Sequence, residues 1–463
     1  MASLDHLAET FKAAPFGPTG APQGGVGWTG EGEWPSLYAV TALASGSIGA
    51  FGATLARYGS HGSGQGRGPS VSLDRRLASL WFDMTIRPDG WEMPSLWDDV
   101  AGNYETADGW VRLHTNAPHH RRAALQALGC EGTRDAVARA CRERACEEIE
   151  TAVVEAGGCA AAMRSGEEWW RGHPQGRAVA TEPLVAWDDH GTAEPDGNAV
   201  DPDRPLRGLR VLDVTRVLAG PVAGRALAAY GADVLRIDPP GWDEPGVIPE
   251  VTLGKRCATL DLKSDRGRAR FEDLLREADL LLHGLRPGAM AALGFDGEAL
   301  RRINPRLLDA TLCAWGWTGP WAARRGYDSL VQMACGIAEA GMRATDADRP
   351  VPLPVQALDH ATGYYLATAA VEALRLRRET GRIATARLSL ARTALALMQT
   401  GRAGINGDLA PLADDDLAAA TERTSWGPAR RVRWPLEIDG MPARWPNGAR
   451  ALHTDEPRFR SHP

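Results

Sequence analysis

The sequence predicts an α/β protein built on a doubly wound, Rossmann-like parallel sheet. Three observations carry that expectation. Over residues 207–400, short runs rich in β-formers alternate with helical stretches, the pattern of parallel strands joined by helical crossovers. With 463 residues, 44% hydrophobic and 24% charged, the chain is long enough for two or three domains that each bury a core. Residues 188–206 combine acids with Pro and Gly between two patterned regions, which is the composition of an interdomain linker.

Taken in order, residues 1–33 read as an irregular lead-in, because the stretch 13–34 is rich in Gly and Pro. Residues 35–56 are uncharged and long enough to raise the question of a membrane span. They consist of Ala, Gly, Ser and Thr with few large apolar side chains, so they read as a tightly packed soluble helix. They open the segment 34–187. Beyond the linker, 210–215 (RVLDVT) is a strand, and a helix follows over about 221–230 with Pro221 at its start. Strands are expected at 232–238 (ADVLRID) and 257–263 (CATLDLK). A charged helix over 264–278 has Ser264 as its N-cap. Two more strands, 279–285 (DLLLHGL) and 307–314 (LLDATLCA), complete the set, and 401–463 is a C-terminal extension.

Composition narrows the function. A net charge of -7 argues against a nucleic-acid footprint and against a polybasic membrane anchor. Seven scattered cysteines do not form a disulfide framework, and none has metal-ligand spacing. The opening residues MASLDHLAETFK carry acids and lack an apolar core, so no signal peptide is expected. The expected location is the cytoplasm.

One internal repeat emerges. At an offset of 317 residues, Gly46, Ala50, Ala53, Ala56, Gly64, Ser72, Leu73, Arg75 and Leu80 face Gly363, Ala367, Ala370, Ala373, Gly381, Ser389, Leu390, Arg392 and Leu397 without a gap. Duplication and chance likeness between two Ala/Gly helices both fit. In this alignment Ala42 faces Asp359.

The stretch from Arg210 to Asp238 is strand, turn, helix and strand with an acid at the end, the outline of a dinucleotide-binding unit. Its turn, LAGPVAG from Leu218 to Gly224, is not GxGxxG, so NAD is not expected. The helix start there could receive a phosphate or polarise a thioester carbonyl.

Eight motifs in order, namely RVLDVTRVLAG (210–220), GADVLRID (231–238), GKRCATLDLK (254–263), RPG (286–288), LGF (293–295), NPR (304–306), GYDSLVQ (326–332) and DHATG (359–363), resemble the family III CoA-transferases, the CaiB/BaiF group. The resemblance covers residues 207 to about 400. Residues 34–190 are similar to the portion of that family's chains that lies C-terminal to the catalytic half, which suggests a permuted or partly deleted tandem. The resemblance implies a large doubly wound domain with a smaller α+β domain, and an interlocked homodimer. Acyl-CoA and a carboxylate acceptor would be the substrates, without a permanently bound cofactor, a metal, nucleic acid or a membrane.

Carried over position by position, Asp359 at the head of the D-x-x-x-G helix is the nucleophile, although an N-cap role would also place Asp there. CoA and substrate would be met by Val217, Leu218, Ala219, Leu260, Lys263, Gly284, Leu285, Arg286, Arg325, Tyr327 and Asp328. Lys255 and Arg256 are further candidates for its phosphates. Leu218, Gly284 and Ala292 depart from the family's glutamine, asparagine and arginine, which leaves open a degenerate member that binds without turnover. Tyr327–Asp328 stands where racemases carry His-Asp. Tyrosine is a poor acid/base at its ordinary pKa of about 10, which favours transfer over racemisation or isomerisation. Asp328 fits either a turn and N-cap or a place beside the substrate. His360 could relay a proton or be structural, His283 could touch ligand, and Trp315, Trp317 and Trp321 read as packing residues.

Overall fold

Val211, Leu212 and Val214 are buried on both faces of their strand, as a parallel sheet covered by helices on each side requires. In the computed structural model, which describes residues 3–16, 25–60, 68–196 and 200–460, that strand lies inside a seven-stranded sheet, third from one edge. Its strands in chain order are β1 (Ala186–Thr192), β2 (Arg210–Val214), β3 (Asp233–Asp238), β4 (Arg256–Thr259), β5 (Leu280–His283), β6 (Leu308–Cys313) and β7 (Arg382–Ser389). They run in the order β4-β3-β2-β5-β6-β7-β1, all parallel except β1. This is the doubly wound α/β order, with its reversal of direction between β2 and β5. The expected strands are all present, and Ser264 caps the helix Asp265–Glu277 by accepting the Gly267 N–H at 3.1 Å.

A second, smaller α+β unit is built on the antiparallel strands Gly102–Glu105, Trp110–Leu113 and Ala160–Ala162, with the helices Pro118–Leu128, Arg134–Arg142 and Cys146–Glu155. It has its own core around Val100, Tyr104, Val111, Val137 and Ile149.

Three expectations about segments change. The stretch taken as a linker begins as strand: residues 188–192 belong to β1, where Asp188 meets Arg387 at 2.9 Å and Asp189 meets Arg382 at 2.7 Å. Acids on the outermost strand of a sheet carry the same composition as a linker. The lead-in contains the helix Leu4–Ala13, capped by Ser3, and the strand Val26–Thr29, while 17–24 lie outside the described residues. The C-terminal residues are woven back into the body. Leu436–Ile438 pairs with Val71–Asp74, Pro428–Arg431 pairs with Ile86–Pro88, and Asp455 bridges to Ala258 on β4.

Residues 35–56 do supply a packed helix, Val40–Gly59, in which every residue but Arg57 and Gly59 is buried. Its small residues are used for contact. A Cβ on Gly46 would lie 2.6 Å from the Ala8 carbonyl oxygen, so only glycine lets the Leu4–Ala13 helix settle there. Among the described residues no helix is long and apolar enough to cross a membrane.

The helix Val40–Gly59 packs along the helix Ala357–Thr380, which carries Asp359, and the two begin at the offset of the repeat. The same offset sets the strand Val71–Asp74 on the end of β7 and the helix Arg75–Leu80 within Leu390–Gln399. Gly64 lies outside the described residues.

The separate stretches converge on Glu250, which is wholly buried. Its carboxylate pairs with Arg225, meets Arg431 at 3.1 Å, and accepts the Thr85 N–H at 2.9 Å, the Thr85 hydroxyl at 2.7 Å and the Ile86 N–H at 3.2 Å. Burial alone would raise this carboxyl, but the two guanidiniums and the Thr85 hydroxyl hold it down at about 2.

Candidate active site

In a doubly wound sheet, ligands bind beyond the carboxyl ends of the strands where the order reverses. Here that crevice is bounded by the turn after β2 and the loop after β5. The two adjoin: a Cβ on Gly284 would stand 3.9 Å from the Thr215 Cβ and 3.7 Å from Leu312, an ordinary contact. The position therefore has room for a larger side chain, and glycine there removes a polar group rather than relieving a clash.

Val217 is held at φ 63°, a left-handed conformation that a β-branched residue adopts at a cost of about 1–3 kcal/mol. Glu244 stabilises the turn by accepting the Val217 N–H, at 3.0 and 3.1 Å to its two oxygens. Glu244 is itself 3.2 Å from Arg236, a fully buried guanidinium that also pairs with Asp238 at 2.7 Å. Leu218 and Ala219 are buried and open the helix Ala219–Ala229.

The Asp359 helix sits directly on this turn because residue 363 is glycine. A Cβ there would be 2.3 Å from the Ala219 carbonyl oxygen and 2.9 Å from the Val222 Cβ. Gly363→Ala is therefore expected to destabilise the chain by about 1–3 kcal/mol, because main chain rather than a flexible side chain must yield. A lowered denaturant midpoint checks it, and an unchanged midpoint contradicts the close approach.

Asp359 is in the first turn of its helix and 7% exposed. Its backbone N–H donates to Asp328 at 2.9 Å. Asp328 is fully buried and is also held by the Gln332 amide, whose oxygen accepts the Leu353 N–H at 2.7 Å. Asp328 does not cap its own helix, where Tyr327 occupies the N-cap; it caps the Asp359 helix from outside. Burial, then the neighbouring Asp328 charge, pushes the Asp359 carboxyl well above the usual range. Burial raises Asp328 to about 6 against the pull of its hydrogen bonds. Burial and the like charge of Asp328 both favour the protonated form of Asp359.

Tyr327 stacks on His114 with ring centroids 3.7 Å apart and planes 9° from parallel. Val217 and Tyr327 meet in a cavity of about 240 Å³, whose wall also includes Asp98, His114, Trp242 and Glu244. The Asp359 carboxyl is not on that wall; the connection runs from Tyr327 through Asp328 to the Asp359 N–H. Nothing in the sequence pairs Glu244 or Trp242 with Val217, since they arrive on the loop after β3. His114 comes from the small unit, just beyond the strand Trp110–Leu113.

The remaining candidates divide. Lys263 and Arg286 are exposed beyond β4 and β5, Leu285 and Gly284 are half-buried, Leu260 is buried, and Arg325 is exposed beside Tyr327. Lys255 cannot serve a phosphate as expected, because it is wholly buried and paired with Asp213 at 2.8 Å. Arg256 is likewise engaged by Asp233 at 2.9 Å and by the Arg458 carbonyl. His283 is tied to β6, with Nδ1 3.0 Å from the Thr311 hydroxyl and Nε2 3.4 Å from Asp309. Burial holds His360 at about 3, and it stacks on Phe82, so it is a neutral packing group. Trp315 packs against Trp169 and Trp321 in the core, and the Trp317 indole N–H donates to the Leu388 carbonyl at 2.9 Å. Among the described residues no cluster of His, Cys, Asp or Glu could hold a metal ion.

Comparison with known proteins bears on this arrangement. Residues 206–406 match the model of CoA-transferase family III. Over 198 residues the chain is 37% identical to the probable fatty acyl-CoA transferase Rv3272 of Mycobacterium tuberculosis, covering 39% of this chain and 49% of that one. It is 35% identical over 213 residues to the acetyl-CoA:oxalate CoA-transferase of Acetobacter aceti, covering 43% and 54%. The crystal structure of Rv3272 in its orthorhombic form aligns at 33% identity over 43% of this chain and 59% of that one, with a TM-score of 0.39. The chain spans about half the length of these curated relatives. That match over residues 206–406 takes in the parallel strands β2 to β7 and the Asp359 helix.

Proposed function

We propose that the chain moves CoA from an acyl-CoA to a free carboxylic acid, with Asp359 as the covalent nucleophile. The observation that carries this reading is the seat of Gly363 on Ala219, which sets the Asp359 helix start against the strained turn at Val217. The relatives' names point the same way: acetyl-CoA to oxalate in one, and succinate with glutarate in another, from Agrobacterium fabrum.

In the first step a carboxylate oxygen of Asp359 attacks the thioester carbonyl. The C–S bond breaks, giving a mixed anhydride and CoA thiolate. The thiolate then attacks the aspartyl carbonyl, forming an aspartyl-CoA thioester and releasing the donor acid. The acceptor carboxylate attacks that thioester to form a second anhydride and free thiolate. Attack of the thiolate on the acceptor's acyl carbon gives the new acyl-CoA and restores Asp359. Dividing the transfer this way replaces one difficult displacement with easier ones. The first N–H groups of the Asp359 helix are partly used by Asp328, so the helix end holds negative charge even at rest. The homodimer implied by the resemblance and the expected cytoplasmic location belong to this same proposal.

Only ionised Asp359 attacks, and burial with Asp328 raises its pKa. The transfer rate is therefore expected to keep rising with pH beyond the ordinary carboxylate range, and Asp328→Asn, which removes the like charge, to move that rise to lower pH. A rate profile flat from pH 5 to 9 would contradict it. Intact-mass measurement with a panel of acyl-CoAs should show an adduct that hydroxylamine removes. Undiminished transfer by Asp359→Ala would end the proposal.

A further inference from the structure

A cavity of about 560 Å³ opens between the small α+β unit and the loop leading into the Asp359 helix, and the chemistry above makes no use of it. Its wall brings together three guanidiniums from separate stretches of chain. Arg112 comes from the strand Trp110–Leu113, Arg134 from the first position of the helix Arg134–Arg142, and Arg349 from the loop before Ala357.

Among the described residues none of the three is paired with a carboxylate. Arg112 donates to the Asn103 side-chain oxygen at 3.0 Å, and its buried Nε has no partner. Arg134 donates to the carbonyls of Asp99 and Ala101, at 3.4 and 3.2 Å, and its guanidinium lies 5.5 Å from the Tyr104 ring centroid, with no carboxylate among its partners. Arg349 is exposed. Other arginines of the same unit are neutralised directly, as Arg164 is by Glu147 and Glu150 at 2.8 and 2.7 Å. Of the two acids on the cavity wall, Asp98 is engaged by the Thr115 hydroxyl at 2.6 Å and by Arg121 at 3.3 Å, and Asp99 is exposed, so positive charge predominates. Two indoles, Trp97 and Trp110, flank the guanidiniums. The smaller cavity that shares Trp97 and Asp98 carries Asp243 and Glu244 and no Arg or Lys, so charge is sorted between the two spaces.

The geometry points to a binding site for a small organic acid, its carboxylate forked among Arg112, Arg134 and Arg349 and its body against Trp110. Guanidinium is suited to this because its planar donors match a carboxylate two at a time. Binding stands without the transfer chemistry; only the acid's role as the CoA acceptor rests on the proposed function.

The test is calorimetry on the whole chain without acyl-CoA, so that turnover does not enter. Phthalate and succinate are the carboxylate probes, 3′,5′-ADP is the phosphate probe, and dimethyl phthalate is the uncharged control. Saturable binding of at least one acid is expected, weakened about ten-fold or more by Arg349→Ala, with no binding of the ester. Because Arg349 is exposed, that variant should keep its fold, which near-UV circular dichroism checks. Arg349→Lys, keeping charge without the fork, should fall between. Three results overturn the proposal: no saturable acid binding at millimolar concentration, acid binding indifferent to Arg349→Ala, or arginine-dependent binding of 3′,5′-ADP alone. Arginine-dependent acid binding by a chain that transfers no CoA would keep this site and remove the transfer reading, whereas CoA transfer without such binding would do the reverse.

Discussion

Glu250→Ala is expected to cost about 3–5 kcal/mol of folding stability, the largest loss from any single carboxylate in the chain. The substitution leaves the Arg225 and Arg431 guanidiniums and the Thr85 donors facing one another in a dry interior. The effect should exceed that of removing a surface pair such as Arg171–Glu167, which is worth about 0–1 kcal/mol. Glu250→Gln should lose less, because an amide oxygen can still accept from Thr85. The folded-state pKa lies at about 2, below the ordinary value of 4.5, so the carboxylate's contribution is complete above pH 4.5 and is lost as the pH falls toward 2. Urea unfolding at pH 7 and at pH 3 measures both. If the gap between wild type and Glu250→Ala stayed constant between these pH values, the ionic account would be wrong.

Asp359→Asn should separate activity from stability. Loss of the nucleophile is expected to reduce transfer by roughly 10⁴-fold or more and to abolish the hydroxylamine-sensitive adduct. The same change should make the fold more resistant to urea at pH 8. Asp359 binds its proton more tightly when folded than when unfolded, so its stabilising contribution is full below the ordinary carboxylate range and is lost as the pH rises through its raised folded value. Asparagine cannot ionise, so the gain should be large in alkali and vanish in acid. A variant equally stable or less stable at pH 8 would mean that the carboxyl is not held in the buried, like-charged setting described above.

Much of the fold was legible because parallel strands announce themselves locally. Runs such as Leu280 to Leu282 are apolar on both faces, and Ser264 and Pro221 sit where helix starts want them. The glycine and alanine pattern of residues 40–59 likewise implied close helix contact, which Gly46 makes with the Leu4–Ala13 helix. The site was less legible. Asp359, Asp328, Tyr327 and Val217 could be named from motifs, but the partners that set their chemistry come from distant stretches of chain. Glu244 reaches Val217 from another loop, and His114 reaches Tyr327 from another unit. Lys255 was misread for a physical reason: a lysine among strand residues looks like a free cation until its buried partner Asp213 is known. Asp188 and Asp189 show the same ambiguity, since acids beside glycine describe an outer strand as well as a tether.

The path of the last residues has a consequence for self-association. Asp455 exchanges main-chain and side-chain hydrogen bonds with Cys257, and His453 holds the Thr259 hydroxyl, so the backbone at this outer margin of β4 is already occupied. Such a margin, left open, is a template on which a neighbouring chain can lay a strand and begin a fibril. Here the molecule supplies that strand-like cover itself, and one flank of the sheet is closed to runaway growth.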